Sequence, residues 1–224
     1  HSGILSSMNS MNKITSKEIF KENKILSPKY FSINSVDYSP ILIKRKLKNL
    51  NISYPLVVKP SDEGSSIGVR ICKSFKILKR NTEELLTEYN SLIIEKFIGG
   101  QEIQVAVING KAIGAIELRP KRKFYDYKAK YSKKAKTKHI MPAKLEKGKY
   151  KEVLNLAVKA HNALKCRGVT RSDFKFEKNK FWILETNTQP GMTDLSLVPE
   201  IARYRGISFK KLVQRIILDA SINR

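Results

Sequence analysis

The sequence contains few residues that could cross-link the chain or bind a soft metal. Its 224 residues include two cysteines, Cys72 and Cys166, which lie far apart in the chain. Their number excludes a disulfide framework, and their spacing excludes paired-cysteine zinc motifs, so we predict two reduced, buried thiols. No apolar run reaches the length of a membrane span, and the visible start is not a secretory signal. We therefore expect a cytoplasmic protein that has no membrane partner.

Acidic residues are also scarce. The 20 carboxylates stand against 44 lysines and arginines, which leaves a net charge of +24. Such an excess is typical of nucleic-acid-binding proteins, but no helix-turn-helix or aromatic RNA-binding pattern organises these cations. We therefore predict no specific nucleic-acid partner and keep a basic nucleic-acid-binding protein as a distant alternative.

Two strand patterns near the end of the chain predict a β-hairpin. Residues 169–177 and 181–185 alternate polar and apolar side chains around a three-residue loop, in which Asn179 tolerates a positive φ. One face of this hairpin would pack on a core, because a shift of one residue would mix polar with apolar side chains. The apolar face would consist of Phe174, Phe176, Trp182 and Leu184.

The opposite face of the hairpin would be polar. Since residues i and i+2 of a strand point to the same side, Asp173 would oppose Glu185, and Arg171 would oppose Asn187. Exposed carboxylates on a hairpin need no special explanation. Here, however, a Pro-Gly turn at residues 190–191 follows, and such turns commonly place N–H groups around a ligand. Carboxylate and amide oxygens predict a site for Mg²⁺ or Mn²⁺.

A second segment with a functional pattern is an apolar strand that ends near Lys59. The loop that follows, residues 61–69, is rich in serine and glycine. It matches neither a Walker A loop nor a dinucleotide-binding fingerprint. Its N–H groups could still close over phosphates, and a plain turn is the alternative.

Two further strands carry glutamates. Residues 92–98 and 101–108 predict consecutive antiparallel strands with Glu95 on the first and Glu102 on the second. The Asn109-Gly110 pair that follows predicts a tight hairpin turn into the next strand.

Five motifs in these segments together resemble the D-alanine–D-alanine ligases of the ATP-grasp superfamily. They are Val-Lys-Pro-x-x-Glu-Gly-Ser-Ser-x-Gly-Val, Glu-Lys-Phe-Ile-x-Gly-x-Glu, Phe-Tyr-Asp-Tyr-x-Ala-Lys-Tyr, Arg-x-Asp-Phe and Leu-Glu-x-Asn-Thr-x-Pro-Gly-Met-Thr. They occur in the family's order, and the resemblance covers nearly the whole chain. It implies an α+β, ATP-grasp fold with two lobes, each with an antiparallel sheet and helices, and a nucleotide bound between them.

The resemblance implies a ligation in two stages. ATP would phosphorylate the carboxylate of one D-alanine, and the amine of a second D-alanine would attack the acyl phosphate to give D-alanyl-D-alanine for peptidoglycan. Asp173, Glu185 and Asn187 would hold two Mg²⁺ (or Mn²⁺) ions, which neutralise charge as the phosphoryl group moves. An ATP-grasp ligase for another amino acid or D-hydroxy acid is the closest alternative.

The resemblance assigns one set of side chains to the nucleotide. Lys13 and Lys59 would contact the phosphates as point charges. Glu95 and the backbone beside it would hold the adenine, and Glu102 would bind the ribose hydroxyls. The complete set of ATP-binding residues that it implies is Lys13, Lys59, Glu95, Lys96, Glu102, Phe124 and Lys130.

A second set would act on the substrates. Arg171 and the N–H of Gly191 would stabilise the oxyanion of the tetrahedral intermediate. Ser196 and Leu197 would bind the carboxylate of the second D-alanine, because N–H groups at the start of a helix suit an anion. Ser65 would help to orient the substrates.

Residues 119–142 resemble the family's mobile lid, which would exclude water from the acyl phosphate. Lys130 and Tyr131 would lie at its working end, and Tyr131 would orient the substrates together with Ser65. A tyrosine at this position favours the dipeptide over a depsipeptide. Whether Tyr131 also accepts a proton stays open.

We predict two lobes, residues 1–94 and 95–224. A helix through residues 11–23 and another that starts at Asn81 would belong to the first lobe. The second lobe would contain a helix that ends before Gly168 and a last helix from Ser208, which would bury Leu212, Val213, Ile216 and Ile217.

The start of the chain resembles the boundary just after the family's N-terminal domain, which helps to bind the first D-alanine. We therefore expect this chain alone to ligate D-alanine weakly or not at all. Family members are commonly dimers, and their contacts often involve the N-terminal domain, so the oligomeric state stays open here, with a homodimer of the full-length protein as one alternative.

Overall fold

The computed structural model describes residues 1–120, 137–194 and 196–220, in which two antiparallel sheets are present. The first sheet consists of β1 (Tyr30–Asn34), β2 (Leu56–Pro60), β3 (Arg70–Cys72) and β4 (Ser91–Lys96). Its spatial order is β1-β4-β2-β3. Two helices, α3 (Pro40–Asn49) and α4 (Phe75–Leu86), share a buried apolar cluster with this sheet.

The second sheet has the order β7-β6-β5-β8-β9 and is covered on both faces. Its strands are β5 (Gln101–Ile108), β6 (Lys111–Arg119), β7 (Lys138–Ile140), β8 (Val169–Glu177) and β9 (Lys180–Asn187). On one face, alternate β5 residues such as Ile103 and Val105 pack with helix α5 (Lys147–Ala163). On the other, Ala106 and Ile108 pack with α6 (Leu197–Tyr204) and α7 (Phe209–Leu218).

Two features predicted from short motifs are confirmed. Asn109 and Gly110 both have positive φ between the paired strands β5 and β6. The predicted last helix, α7, is capped by Ser208, whose side chain accepts from Lys211 N. Its predicted buried face is only partly correct, because Leu212 is buried and Ile217 is 66% exposed. Both cysteines are free and buried, as predicted.

The start of the chain forms two helices, not the single helix through residues 11–23 that we predicted. Helix α1 (Ile4–Met11) ends at Asn12, and α2 (Lys13–Glu22) begins directly after it. The helix is interrupted there because the Asn12 side chain caps α2 by accepting hydrogen bonds from the N–H groups of Ile14 and Thr15. Phe20 of α2 belongs to the cluster of the second sheet. The boundary at residue 94 stays a prediction, and β4 continues through it to Lys96.

The predicted start of a helix at Asn81 is wrong. Helix α4 begins at Phe75, where the side chain of Ser74 accepts from Ile77 N and caps it. Asn81 lies inside the helix, and its side-chain amide is 3.4 Å from the sulfur of Cys72. Because Ser74 caps the helix earlier in the chain, Asn81 is a buried interior residue, although asparagine is often found at helix starts.

The two predicted consecutive strands that carry Glu95 and Glu102 are not paired with each other. β4 lies inside the first sheet and β5 inside the second, so the Gly99-Gly100 segment crosses between the sheets and is not a hairpin turn. Gly100 has a φ of +73°, and a Cβ at this position would overlap the carbonyl oxygen of Phe176. A glycine is therefore required where the chain passes between the sheets.

The hairpin of β8 and β9 has the predicted polar face but a shorter turn. Lys178 and Asn179, both with positive φ, form a two-residue turn between Glu177 and Lys180, which are paired. A bulge next to Phe174 compensates for the turn being one residue shorter than predicted. Ile183 and Phe181 therefore oppose Phe174 and Phe176, in place of the predicted Leu184 and Trp182.

None of the helices in the described parts of the chain is long and apolar enough to span a membrane.

Candidate active site

Two adjoining cavities lie at the polar face of the β8–β9 hairpin and share Lys13, Glu63 and Glu185. The wide cavity, of about 530 Å³, is lined by eight predicted site residues: Lys13, Ser65, Arg171, Glu185, Asn187, Gly191, Ser196 and Leu197. The narrow cavity, of about 100 Å³, is lined by seven: Lys13, Lys59, Glu95, Lys96, Glu102, Asp173 and Glu185. The three other predicted site residues, Phe124, Lys130 and Tyr131, lie outside the described residues.

The polar face of the β8–β9 hairpin has the register that alternation predicts. Asp173 is paired with Glu185, and Arg171 is paired with Asn187. On the neighbouring strand β5, Gln104 is paired with Asp173. Because directly opposed residues in a sheet point to the same side, Gln104, Asp173 and Glu185 form a row across three strands.

Arg171 and Asp173 form a two-point ion pair. The Arg171 Nε donates to Asp173 Oδ1 at 2.8 Å, and Nη2 donates to Oδ2 at 3.1 Å. Both side chains are largely buried, with exposures of 15% and 8%. A cation that binds the Asp173 carboxylate must therefore share it with the guanidinium or displace it.

The donor set fits a hard divalent cation. It consists of the carboxylates of Asp173 and Glu185 and the amide oxygen of Asn187, which come from two neighbouring strands. Within the described ranges, no group of three or more His, Cys, Asp or Glu side chains is arranged to hold a metal. Two carboxylates with an amide leave coordination positions for water and phosphate oxygens, as Mg²⁺ prefers.

The segment after β9 folds back against the start of α6. Asn187 Oδ1 accepts from Gln189 N at 2.9 Å, which turns the chain at the end of the strand. The Ser196 hydroxyl accepts from Thr193 N at 2.9 Å, and a Cβ on Gly191 would lie 2.7 Å from that hydroxyl. Gly191 therefore has the size that this close approach requires, and it brings the turn next to the first residues of α6.

Glu95 lies between two lysines in the narrow cavity. Its Oε1 is 2.5 Å from Lys59 Nζ, and its Oε2 is 2.9 Å from Lys17 Nζ. Burial alone would raise the pKa of Glu95, but the two ammonium groups outweigh it and lower the pKa to about 2. Burial also lowers the pKa of Lys17, and Glu95 opposes this change.

The serine-rich loop after β2 is attached to α2 through Lys13. The Lys13 ammonium donates to the carbonyl of Glu63 and lies 4.0 Å from Glu185 Oε2. Burial lowers the pKa of Lys13, and the charge of Glu185 opposes this effect. Ser65 and Ser66 both have positive φ, an uncommon conformation for a residue with a side chain. Lys13 thus lies where the loop and the two cavities meet.

The charged side chains at the edge of the narrow cavity have partners within the protein. Glu102 Oε2 accepts from Lys175 Nζ at 2.9 Å. The ammonium of Lys96 donates to the carbonyls of Ser53 and Tyr54, at 2.9 and 3.1 Å. The Lys96 ammonium is therefore held by the backbone, and the Glu102 carboxylate is held by Lys175.

Three residues at this site were not predicted from the sequence. Lys17, one helical turn after Lys13, could have been found from the i, i+4 spacing. Gln104 lines the wide cavity, and its Oε1 is buried without a hydrogen-bond partner among the described residues. Leu184 lines the narrow cavity because of the bulge in β9, which no local pattern predicted.

Comparisons with known proteins point to one family. The family model described as D-ala D-ala ligase C-terminus matches residues 19–218. A D-alanine–D-alanine ligase of Pelagibacter ubique (strain HTCC1062) is 54% identical over 224 residues, which are 100% of this chain and 72% of that relative.

Two solved structures have the same fold. One is a D-alanine–D-alanine ligase from Bacillus anthracis complexed with ATP (TM-score 0.82, 28% identity, 97% of this chain and 68% of that one). The other is the VanG D-Ala:D-Ser ligase from Enterococcus faecalis (TM-score 0.85, 26% identity, 96% of this chain and 63% of that one). The matched family model and the identity to the Pelagibacter relative establish that this chain belongs to the D-alanine–D-alanine ligase family.

Proposed function

We propose that this chain carries the ATP site, the metal site and the second D-alanine site of an enzyme that joins two D-alanines to D-alanyl-D-alanine. The reaction consumes ATP, proceeds through an acyl phosphate and supplies a peptidoglycan precursor. One observation carries the proposal. The row of Asp173 and Glu185, with Asn187 beside it, lies between the lysine-lined narrow cavity and the wide cavity, where phosphate must meet a carboxylate.

The narrow cavity has the chemistry of a nucleotide site. Its apolar lining, which includes Val57, Phe97 and Leu184, suits the faces of an adenine ring. Lys59 and Lys13 supply two cations beside these apolar side chains, and Glu102 supplies an acceptor for ribose hydroxyls. The phosphates would therefore extend towards Glu185, which both cavities share.

Asp173, Glu185 and Asn187 would hold Mg²⁺ or Mn²⁺. When bound, these ions neutralise the charge on the transferred phosphoryl group. Arg171 now holds both oxygens of Asp173. The Arg171 guanidinium also lines the wide cavity, where it would donate to an oxyanion.

The turn next to α6 would bind the second D-alanine. Ser196 precedes the first turn of α6, so the N–H groups there would present the positive end of the helix to a substrate carboxylate. Gly191 N–H would share the oxyanion with Arg171. The amine of the second D-alanine would then lie within reach of the acyl phosphate, which it attacks as phosphate leaves.

The test measures phosphate release from ATP and Mg²⁺ as D-alanine is added. It uses this chain and an extended version that also carries the family's N-terminal domain. Asp173→Asn should lower D-alanine-dependent phosphate release by about 100-fold or more, because it removes a carboxylate donor of the metal. Asp37→Asn, in an exposed turn of the first sheet, is the matched control and should be neutral.

Dependence of phosphate release on D-alanine in either version supports the proposal. If ATP binds but phosphate release does not depend on D-alanine in either version, the proposed nucleotide site stands and the assignment of D-alanine as the substrate is refuted.

A ligase with a different second substrate is the alternative, since the VanG protein is a D-Ala:D-Ser ligase. Mass spectrometry of products formed from D-alanine mixed with D-serine and D-lactate distinguishes the two. We propose D-alanyl-D-alanine as the main product, made in the cytoplasm without a specific nucleic-acid partner. The homodimer stays a prediction for the full-length protein.

A further inference from the structure

Lys17 is a charged side chain with no accessible surface, and nothing in the proposed reaction uses it. It lies on α2, whose Phe20 packs with the second sheet, whereas its partner Glu95 lies on β4 in the first sheet. The ion pair therefore joins the two sheets. A fully buried lysine is rare unless it is paired, because the loss of hydration is costly.

Glu95 receives two cations, although one would neutralise it. The distances are 2.9 Å to Lys17 and 2.5 Å to Lys59. The three groups together carry one excess positive charge in a buried environment. Such an excess is costly unless a negatively charged ligand completes the arrangement.

The two lysines differ in what they can reach. Lys59 lines the narrow cavity, as do Ser66 and Glu102. Lys17 pairs with the other carboxylate oxygen of Glu95, does not line the narrow cavity and is buried beneath the groove beside Tyr30, with its Nζ 5.2 Å from the centre of that ring. Only Lys59 is therefore placed to turn towards a phosphate in the narrow cavity.

We propose that Lys17 is a positioning residue that stays with Glu95 when Lys59 moves from Glu95 to a nucleotide phosphate. Without Lys17, this movement would leave a buried carboxylate without a counter-ion, and Lys59 would remain with Glu95. With Lys17, Glu95 keeps a partner in both arrangements. The inference rests on the proposed function, since it takes ATP as the ligand.

The physical basis is the cost of an unpaired buried charge. Removal of one partner of a buried ion pair is strongly unfavourable, because the remaining ion keeps its loss of hydration without the compensating attraction. Lys17 removes this penalty from the nucleotide-binding step. The expected consequence is specific to phosphate, because adenine and ribose do not require Lys59 to move.

The experiment measures the dissociation constants of ATP and adenosine by calorimetry for the wild-type chain and for Lys17→Met. Methionine fills a similar volume without the ammonium. We expect ATP to bind at least about tenfold more weakly to Lys17→Met, whereas the affinity for adenosine stays within about threefold. Lys21→Met, on the same helix but 78% exposed, is the matched control and should bind both ligands like the wild-type chain.

A double variant separates the charge effect from packing. In Lys17→Met/Glu95→Gln no carboxylate remains to be compensated, so the ratio of ATP affinity to adenosine affinity should return towards the wild-type ratio. Of the three buried charged groups, only Lys59 remains in this variant. It therefore tests the inference even if Lys17→Met does not fold. A wild-type ratio in the double variant supports the inference, and a ratio as low as that expected for Lys17→Met overturns it.

Two further results would overturn the inference while leaving the proposed function intact. One is wild-type affinity for ATP in Lys17→Met. The other is an equal loss of ATP and adenosine binding, which indicates a purely structural role. If the wild-type chain itself binds no ATP, the proposed function is refuted together with the inference.

Discussion

Replacement of Glu95 by glutamine should change the pH dependence of stability in a calculable way. Glu95 is 3% exposed and paired with Lys17 and Lys59. Its pKa is lowered from 4.5 to about 2. Because the folded-state pKa is depressed, the contribution to stability is present above pH 4.5 and is lost as the pH falls towards 2.

The magnitude follows from the difference between the two pKa values. Roughly 2.5 pH units at about 1.36 kcal/mol each give a contribution of roughly 3 kcal/mol at pH 6. About 2 kcal/mol of this is lost by pH 3, where the unfolded chain is mostly protonated at this position and the folded chain mostly is not. Glutamine cannot titrate, so Glu95→Gln removes this part of the pH dependence.

Glu95→Gln should also be less stable at pH 6, by about 3 to 5 kcal/mol, because it leaves buried lysines without their carboxylate. The difference in the free energy of unfolding between the wild-type chain and the variant should therefore narrow by about 2 kcal/mol between pH 6 and pH 3. Urea unfolding, followed by circular dichroism at constant ionic strength, measures this difference at each pH.

Glu83→Gln is the matched control, since its carboxylate is 43% exposed in a surface pair. Its stability should differ from that of the wild-type chain by less than about 1 kcal/mol throughout. A constant difference between wild type and Glu95→Gln from pH 6 to pH 3 would refute the reasoning, because Glu95 would then not be held ionised by its two partners.

Two further predictions concern stability at neutral pH. Gln104→Leu should not lower the free energy of unfolding, because it replaces a buried oxygen that has no partner among the described residues. Thr186→Val should lower it by about 1 kcal/mol, because it removes a 2.9 Å hydrogen bond. Urea unfolding compares the two variants, and a large loss of stability in Gln104→Leu would contradict the assignment of an unsatisfied acceptor. Gly100→Ala should lower stability by more than about 2 kcal/mol, since its Cβ would overlap the carbonyl of Phe176 at a positive φ. Gly148→Ala, in α5 with no atom within 4 Å of the added Cβ, should be neutral or stabilising by up to about 1 kcal/mol, and equal thermal unfolding of the two alanine variants would show that the crossing between the sheets tolerates a side chain.

The register of the polar face could be predicted from the sequence, because strand alternation and the burial of one face are local properties. This is why Asp173 opposes Glu185, as expected. The length of the turn was wrong by one residue. The error did not reach the polar face because the bulge restored the register beyond Phe174.

The pairing of strands could not be predicted in the same way. The strands that carry Glu95 and Glu102 are close in the chain and look like a hairpin, yet they belong to different sheets. β5 pairs with β6, its neighbour in the chain, and with the distant β8, whereas β4 pairs with β1 and β2. Which distant strand pairs with a given strand depends on the burial of whole sheets, which no short segment encodes.

The sequence by itself determined the residues that carry the proposed chemistry, since motifs of short span fix the spacing of carboxylates, lysines and glycines along one or two strands. It also determined the local turns and caps, such as those at Asn109 and Ser208. Only the tertiary structure decided that Lys17 faces Glu95 from another part of the chain, and that Leu184 turns into the narrow cavity. The physical reason is that a buried ion pair and a bulge depend on packing between elements far apart in sequence. This packing determines the free-energy cost of burying a charge or interrupting a strand register.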